Sequence, residues 1–257
     1  MFPKSAIPMT LAAMAALSGC QRHPAQAPDP AQAEADQAGY ASPPIVTQAR
    51  PQAGGVQLSG AAPAGAQVRL GAPTGGAVFA RADAAGRWSL VLPPDPHARI
   101  FGLSAKVGGR QVQGQGYVLV TPQGPAGQLR AGAGAIRLDP QPTPSIGALD
   151  FDRAGAAVIS GRAPPASLVF LRLDGRQIAQ GHTDPSGRYA IALSQPIPHG
   201  AHGVEMAGDG FARAVRVQLT PPAPLAAGPL RSQLSGDAVR VDWMTPGGGL
   251  QSTILPN

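Results

Sequence analysis

Lysine is almost missing from this chain: Lys4 and Lys106 are the only two in 257 residues. The formal charge of +6 therefore rests on arginines that stand singly along the sequence. Without a basic run or interleaved aromatics on which bases could stack, nucleic acid is not an expected partner. Aromatic residues make up only 4% of the chain, and cysteine occurs once, at Cys20. The histidines are few: His23, His97, His182, His199 and His202. His199 and His202 could bring two imidazoles together, but no cysteine and no close carboxylate completes a zinc set, so no metal is expected. The catalytic signatures G-x-S-x-G, S-x-x-K, H-E-x-x-H and the P-loop do not occur, and no cofactor or enzymatic role is expected. The glycine-rich stretch at Thr245, TPGGGL, runs into a strand-like segment instead of a phosphate-holding helix and reads as a hairpin turn. Long apolar runs are absent too. The stretch from Pro8 to Gly19 falls short of the roughly 20 residues that a membrane-crossing helix needs.

What that stretch does have is one upstream charge, Lys4, an apolar middle of alanine, leucine and methionine, and a small-residue end. This is the layout of a secretory signal. Leu17-Ser18-Gly19-Cys20 resembles the lipobox of bacterial lipoproteins. The resemblance implies cleavage before Cys20, a diacylglycerol on its thiol and an acylated new amino terminus. Several acyl chains together make a stable anchor where one would bind marginally. Gln21 stands where inner-membrane lipoproteins have aspartate, so the resemblance implies the periplasmic face of the outer membrane. Residues 1–19 are accordingly read as the signal peptide. Residues 20–44, rich in alanine, proline and glutamine, cannot bury enough apolar surface to offset their ordering entropy and are read as a disordered tether. As a coil it would span about 25–30 Å.

The rest of the chain repeats itself. VQLSGAAPAGAQVRL from Val56 aligns with AVISGRAPPASLVFL from Ala157, and ADAAGRWSLVL aligns with TDPSGRYAIAL. Asp83 matches Asp184, Gly86 matches Gly187 and Trp88 matches Tyr189, all at one constant step of 101 residues. That period is the size of a whole domain. Val68 and Leu70, like Val169, Leu171 and Leu173, alternate with other residues in the period of a half-buried strand. Turn signals recur at short intervals, and 34 glycines with 29 prolines exclude long helices. The expected fold is all-β: two tandem β-sandwich domains, 45–143 and 144–257, after the signal peptide and tether. The block G-x-x-P…V-x-L…D-x-x-G-R-aromatic resembles bacterial Ig-like and carboxypeptidase-regulatory (transthyretin-like) repeats, which implies seven- or eight-stranded sandwiches and says little about function.

Within each turn, Asp83 and Asp184 are expected to accept backbone N–H groups two or three residues on, and Gly86 and Gly187 to close the turn in the left-handed region. Trp88 and Tyr189 then enter their cores. Calcium at these aspartates is the alternative, but acidic residues alternating as D-x-D-x-D are missing, and Asp150 with Asp152 is followed by Arg153. In the tail, Val239, Val241 and Trp243 alternate with Arg240 and Asp242. An isolated hairpin is marginal in water, so the tail is expected to dock within the second sandwich, finishing it as a similar strand finishes the first at Asp139. The competing view offers Trp243 to a partner. The two domains are expected to share only a linker around Gln141–Ser145. The function expected is that of a non-catalytic scaffold or adhesion module that binds an envelope protein or glycan. An accessory lipoprotein of an export or assembly machine and a hydrolase with a cryptic site are the alternatives.

Overall fold

The computed structural model describes residues 41–257. Leu17, Ser18, Gly19 and Cys20, with the signal and most of the tether, lie outside them. Among the described residues there are strands and no helix.

The first half holds β1 (Ile45–Gln52), β2 (Gly55–Ala61), β3 (Gln67–Gly71), β4 (Ala77–Arg81), β5 (Arg87–Leu92), β6 (Arg99–Val107), β7 (Arg110–Val120), β8 (Ala126–Leu129) and β9 (Ile136–Arg137). They form a three-stranded sheet in the order β1-β2-β5 and a six-stranded one in the order β4-β3-β6-β7-β8-β9. The second half holds β10 (Ser145–Asp152), β11 (Ala157–Arg162), β12 (Leu168–Leu173), β13 (Arg176–His182), β14 (Arg188–Ala192), β15 (Gly200–Gly208), β16 (Phe211–Leu219), β17 (Leu230–Ser235), β18 (Ala238–Met244) and β19 (Leu250–Pro256). Here the sheets run β14-β11-β10-β19-β18-β17 and β13-β12-β15-β16. The described residues are all-β and form two tandem antiparallel β-sandwiches.

The duplication is visible in the register. β1 and β2 slip between Val46 and Gln48, and β10 and β11 slip between Ile146 and Ala148, so the bulge itself is repeated. Gly60 and Gly161 stand beside it for one reason. A methyl group on Gly60 would strike the carbonyl oxygen of Ile45 and the ring of Trp88, and one on Gly161 would strike that of Ser145 and the ring of Tyr189. Each sandwich is filled by alternate residues of its two sheets. Leu58, Val68, Leu70, Trp88 and Leu103 fill the first, and Leu149, Ile159, Val169, Leu171 and Tyr189 fill the second.

A third apolar cluster joins the two. Ile100, Leu119 and Leu129, on the outer face of the six-stranded sheet of the first sandwich, pack on Val239, Val241, Trp243 and Leu255 on the outer face of the six-stranded sheet of the second. The four sheets are therefore stacked as layers with three apolar seams. Each fully buried Leu, Ile or Val in such a seam contributes about 1.5–3 kcal/mol, so the contact is a core in its own right. The expectation that the halves share only the linker around Gln141–Ser145 is thereby corrected.

The tail also departs from expectation in detail. β19 pairs antiparallel with β10, so the tail does belong to a sheet of the second sandwich. Trp243 is fully buried, but in the seam between the sandwiches and neither within the second core nor offered to a partner. Arg240 and Asp242, on the alternate face of β18, are buried as well. The parallel with the end of the first repeat is one of shape alone. The β8–β9 pair extends the sheet that contains β7, whereas β17, β18 and β19 extend the opposite sheet beyond β10.

Candidate functional site

The repeated D-x-x-G-R turns are structural on both sides. Asp83 Oδ1 accepts the N–H groups of Ala85 and Arg87, both at 2.9 Å, and Asp184 Oδ1 accepts those of Ser186 and Arg188 at 2.8 and 2.9 Å. The acceptors thus reach two and four residues on, one further than expected. The N–H bonds from Arg87 and Arg188 hold the two carboxyl groups below their usual range. Gly86 and Gly187 both have φ of +75°, the left-handed conformation that closes the turn. Trp88 is 3% exposed with no acceptor for its Nε1 among the described residues, while the Tyr189 hydroxyl donates to the carbonyl oxygen of Ser145 at 3.1 Å. Burial pushes the Tyr189 phenol upward. Asp152 makes the same kind of turn, accepting from Ala154 and Ala156.

Where the sandwiches meet, a polar chain runs through the apolar seam. Trp243 stands edge-on to Tyr117, with centroids 6.0 Å apart, and its Nε1 donates to Thr253 Oγ1 at 3.0 Å. Thr253 donates in turn to Asp150 at 2.5 Å, and the backbone N–H of Ala135, from the first repeat, donates to the same carboxylate at 2.6 Å. Asp150 is only 1% exposed, and burial pushes its carboxyl up to about 6 against the opposing pull of these bonds. It is a cross-repeat acceptor, whereas Asp152 Oδ1 is taken by its own turn. On the other face of β18, Arg240 lies between Asp242, Ser252 and Thr220, with its guanidinium 5.4 Å from the ring of Phe151.

Beside this seam opens the main cleft, about 690 Å³ in volume and lined by both repeats. That volume falls within the range of small-molecule sites. Arg137 clamps one wall: it holds Asp139 through two nitrogens, at 2.8 and 2.5 Å, and donates to the carbonyl oxygens of Gly147 and Pro256. Three further arginines line the cleft: Arg130, Arg162 and Arg188. Arg130 is held by the carbonyl oxygens of Gly134 and Ala133. Burial, aided by the neighbouring charge of Arg188, lowers the affinity of Arg130 for its proton, and Asp150 opposes the shift. Arg162 and Arg188 are directly opposed across β11 and β14. The cleft's aspartates are engaged elsewhere, Asp139 by Arg137 and Asp184 by its own turn. Three of its hydroxyls are similarly occupied: Ser160 donates to the carbonyl oxygen of Ala135, Thr183 to that of Pro164 and Tyr189 to that of Ser145. Ser145 Oγ is buried in the cleft wall without a partner among the described residues. Chemically, the arrangement is suited to holding an anion.

Reading single arginines along the sequence missed this cluster, because strand pairing is what brings Arg162 beside Arg188. Among the described residues, His202 meets Asp174 at 2.7 Å and the carbonyl oxygen of Pro198 at 2.9 Å, His199 is exposed, and no group of three His, Cys, Asp or Glu residues could hold a metal ion.

No protein-family model and no curated protein matches the chain. Among solved structures, it is similar to the BSP domain of a biofilm-associated protein, at 14% identity and a TM-score of 0.25 over 72% of this chain and 30% of that one. It is also similar to the central fibronectin-III array of RIM-binding protein, at 12% identity and a TM-score of 0.25 over 83% of this chain and 88% of that one. The chain thus spans less than a third of the length of the biofilm-associated chain.

Proposed function

We propose that this protein is a non-catalytic binding module of the bacterial envelope, tethered through lipid on Cys20 to the periplasmic face of the outer membrane, with the junction cleft as its ligand site. The observation that carries the reading is the cleft itself, formed only where the two repeats are locked together and lined by Arg130, Arg162 and Arg188, which make no ion pair among the described residues. Ligand sites favour such junctions, and the apolar seam beside this one holds the two repeats against each other. The lipobox-like Leu17-Ser18-Gly19-Cys20 and the alanine- and proline-rich stretch after it support the anchor and the stand-off from the membrane.

Two measurements test the reading. Cys20→Ser should abolish retention in outer-membrane fractions washed at high salt, and a variant that still fractionates there is not held by lipid. A photo-crosslinking amino acid at His182, an exposed residue of the cleft, should capture envelope material that the same group at Val91, exposed on β5, does not. Equal capture from both positions would remove the cleft from the function. Capture of one stoichiometric protein would favour the accessory subunit of an assembly machine.

A further inference from the structure

We propose that the junction cleft binds an acidic saccharide, its carboxylate taken by the guanidinium groups of Arg162, Arg188 and Arg130 and its hydroxyls by the polar side chains around them. The inference deepens the binding-module reading above and rests on it.

The first repeat serves as the internal control. There Arg87 turns back on Asp83, with Nε at 3.0 Å and Nη2 at 2.9 Å from Oδ2, and the residue opposite it on β2 is Ala61. In the second repeat both features change. Position 186 is serine where the first repeat has Ala85, and its hydroxyl takes Asp184 Oδ1 at 2.7 Å. Among the described residues the guanidinium of Arg188 makes no hydrogen bond or ion pair, and the residue opposite it is Arg162. Arg162 donates only to the carbonyl oxygen of Ser186, at 3.1 Å. Like charges placed directly opposite one another in a ladder repel. The cluster is therefore unfavourable by itself and becomes favourable around an anion.

The chemistry of the walls narrows the ligand. Planar guanidinium forks match the two oxygens of a carboxylate. Gln48 and Thr143 add an amide and a hydroxyl suited to a polyol, while the Thr47 hydroxyl and the Gln141 amide nitrogen already donate to Ser59, Asp139 and Pro140 and leave their oxygens as acceptors. Ile136 is the one half-buried large aliphatic side chain in the lining, Tyr189 is buried, and His182 is an exposed ring. That leaves little to receive an acyl chain, and the DNA probe below tests stacking on His182.

Titration calorimetry of the full-length protein in detergent tests the proposal with trigalacturonate, its methyl ester, inorganic phosphate and a short DNA duplex as probes. Trigalacturonate should bind, and the ester, which keeps every hydroxyl and loses the charge, should bind at least about tenfold more weakly. The double substitution Arg162→Ala with Arg188→Ala should weaken binding by about a hundredfold without lowering the melting temperature of the ligand-free protein. Arg188→Lys, which keeps the charge and loses the fork, should fall between. The saccharide assignment is overturned by equal binding of acid and ester, by full binding in the double variant, or by phosphate or DNA competing as well as trigalacturonate. If trigalacturonate does not bind while the crosslinker at position 182 still captures material specifically, the ligand class is wrong and the cleft remains a site. If neither occurs, both readings fall.

Discussion

In the first repeat the sheet β1-β2-β5 ends at β1, and its outer face meets solvent. In the second repeat the equivalent strands β10, β11 and β14 continue into β19, β18 and β17, and the outer face is covered by the first sandwich. The same inherited frame thus yields one sheet that is an outer wall and one that is an inner layer. What differs is less the repeated block than the segments appended to it. β10 shows the consequence residue by residue. Leu149 and Phe151 face their own core, as Ala49 faces the first, while Ala148 joins the seam and Asp150 is drawn into its polar chain. Duplication supplied two sandwiches, and the tail made them one body.

Removing the tail should break the comparison most completely. Truncation after Leu230 takes away the partner of β10 and exposes Ile100, Leu119 and Leu129 of the first sandwich together. Both sandwiches should lose stability in thermal unfolding, where two independent domains would leave the first transition in place. For the same reason the intact chain should unfold in a single transition. A first-repeat transition that survives truncation unmoved would show that the seam contributes nothing.

Trp243→Ala should cost about 3–5 kcal/mol, as should Trp88→Ala. The two differ in where the loss is felt. Trp88 packs only within the first sandwich, whereas Trp243 touches Tyr117 across the seam. Hydrogen exchange should therefore show Trp243→Ala loosening β7 and β18 together, and Trp88→Ala loosening β2 and β5 first.

Much of this was legible in the residues. The constant step of 101, the D-x-x-G-R turns and the breaker content fix two all-β units, and the structure adds the shared bulge. The seam was harder to read because period-two alternation marks only strands with one wet face. Tyr117-Val118-Leu119-Val120 and the whole of β18 are apolar or buried on both faces, and such runs do not say which neighbour covers the second. The alternation in β18 pointed outward to Arg240 and Asp242, and both proved to be buried in mutual contact. The cleft was illegible for a different reason. Arg162 and Arg188 are 26 residues apart in sequence, and only the pairing of β11 with β14 makes them neighbours.

Asp150 separates the inner layer from the outer wall by pH. Its folded carboxyl titrates at about 6, against an ordinary value of 3.8, because burial disfavours its charge. Folding therefore favours the protonated form. Stability from this group rises as pH falls from about 6 toward 4, by about 3 kcal/mol in total, and is lost again as pH rises. Asp83, Asp184 and Asp242 act oppositely, since their carboxyls lie below the ordinary range and their contribution disappears only under more acid conditions. Denaturant melts of Asp150→Asn between pH 4 and pH 7 should be flat where the parent slopes. An equal slope in both would place the titration elsewhere.

A smaller effect distinguishes the two core aromatics. Tyr189→Phe keeps the ring and removes the hydroxyl that satisfies the Ser145 carbonyl, which should cost about 1–2 kcal/mol in the same melts. The first repeat has no such bond to lose, since Trp88 Nε1 has no partner among the described residues.

The smallest effect expected has the opposite sign. Arg87→Ala should leave the melting temperature unmoved, because its pair with Asp83 lies in solvent, with the Arg87 side chain 79% exposed. Arg188→Ala removes one of two guanidinium groups opposed across β11 and β14, and without ligand it should stabilise the fold by about 0.2–0.5 kcal/mol. A residue whose loss strengthens the empty protein is held for something other than folding, and here the cleft is what it faces. Adding trigalacturonate should reverse the order, raising the melting temperature of the parent and not that of the variant. If Arg188→Ala instead destabilises the ligand-free chain by as much as Tyr189→Phe, the arginine is a structural member of the turn, and the contrast with Arg87 fails.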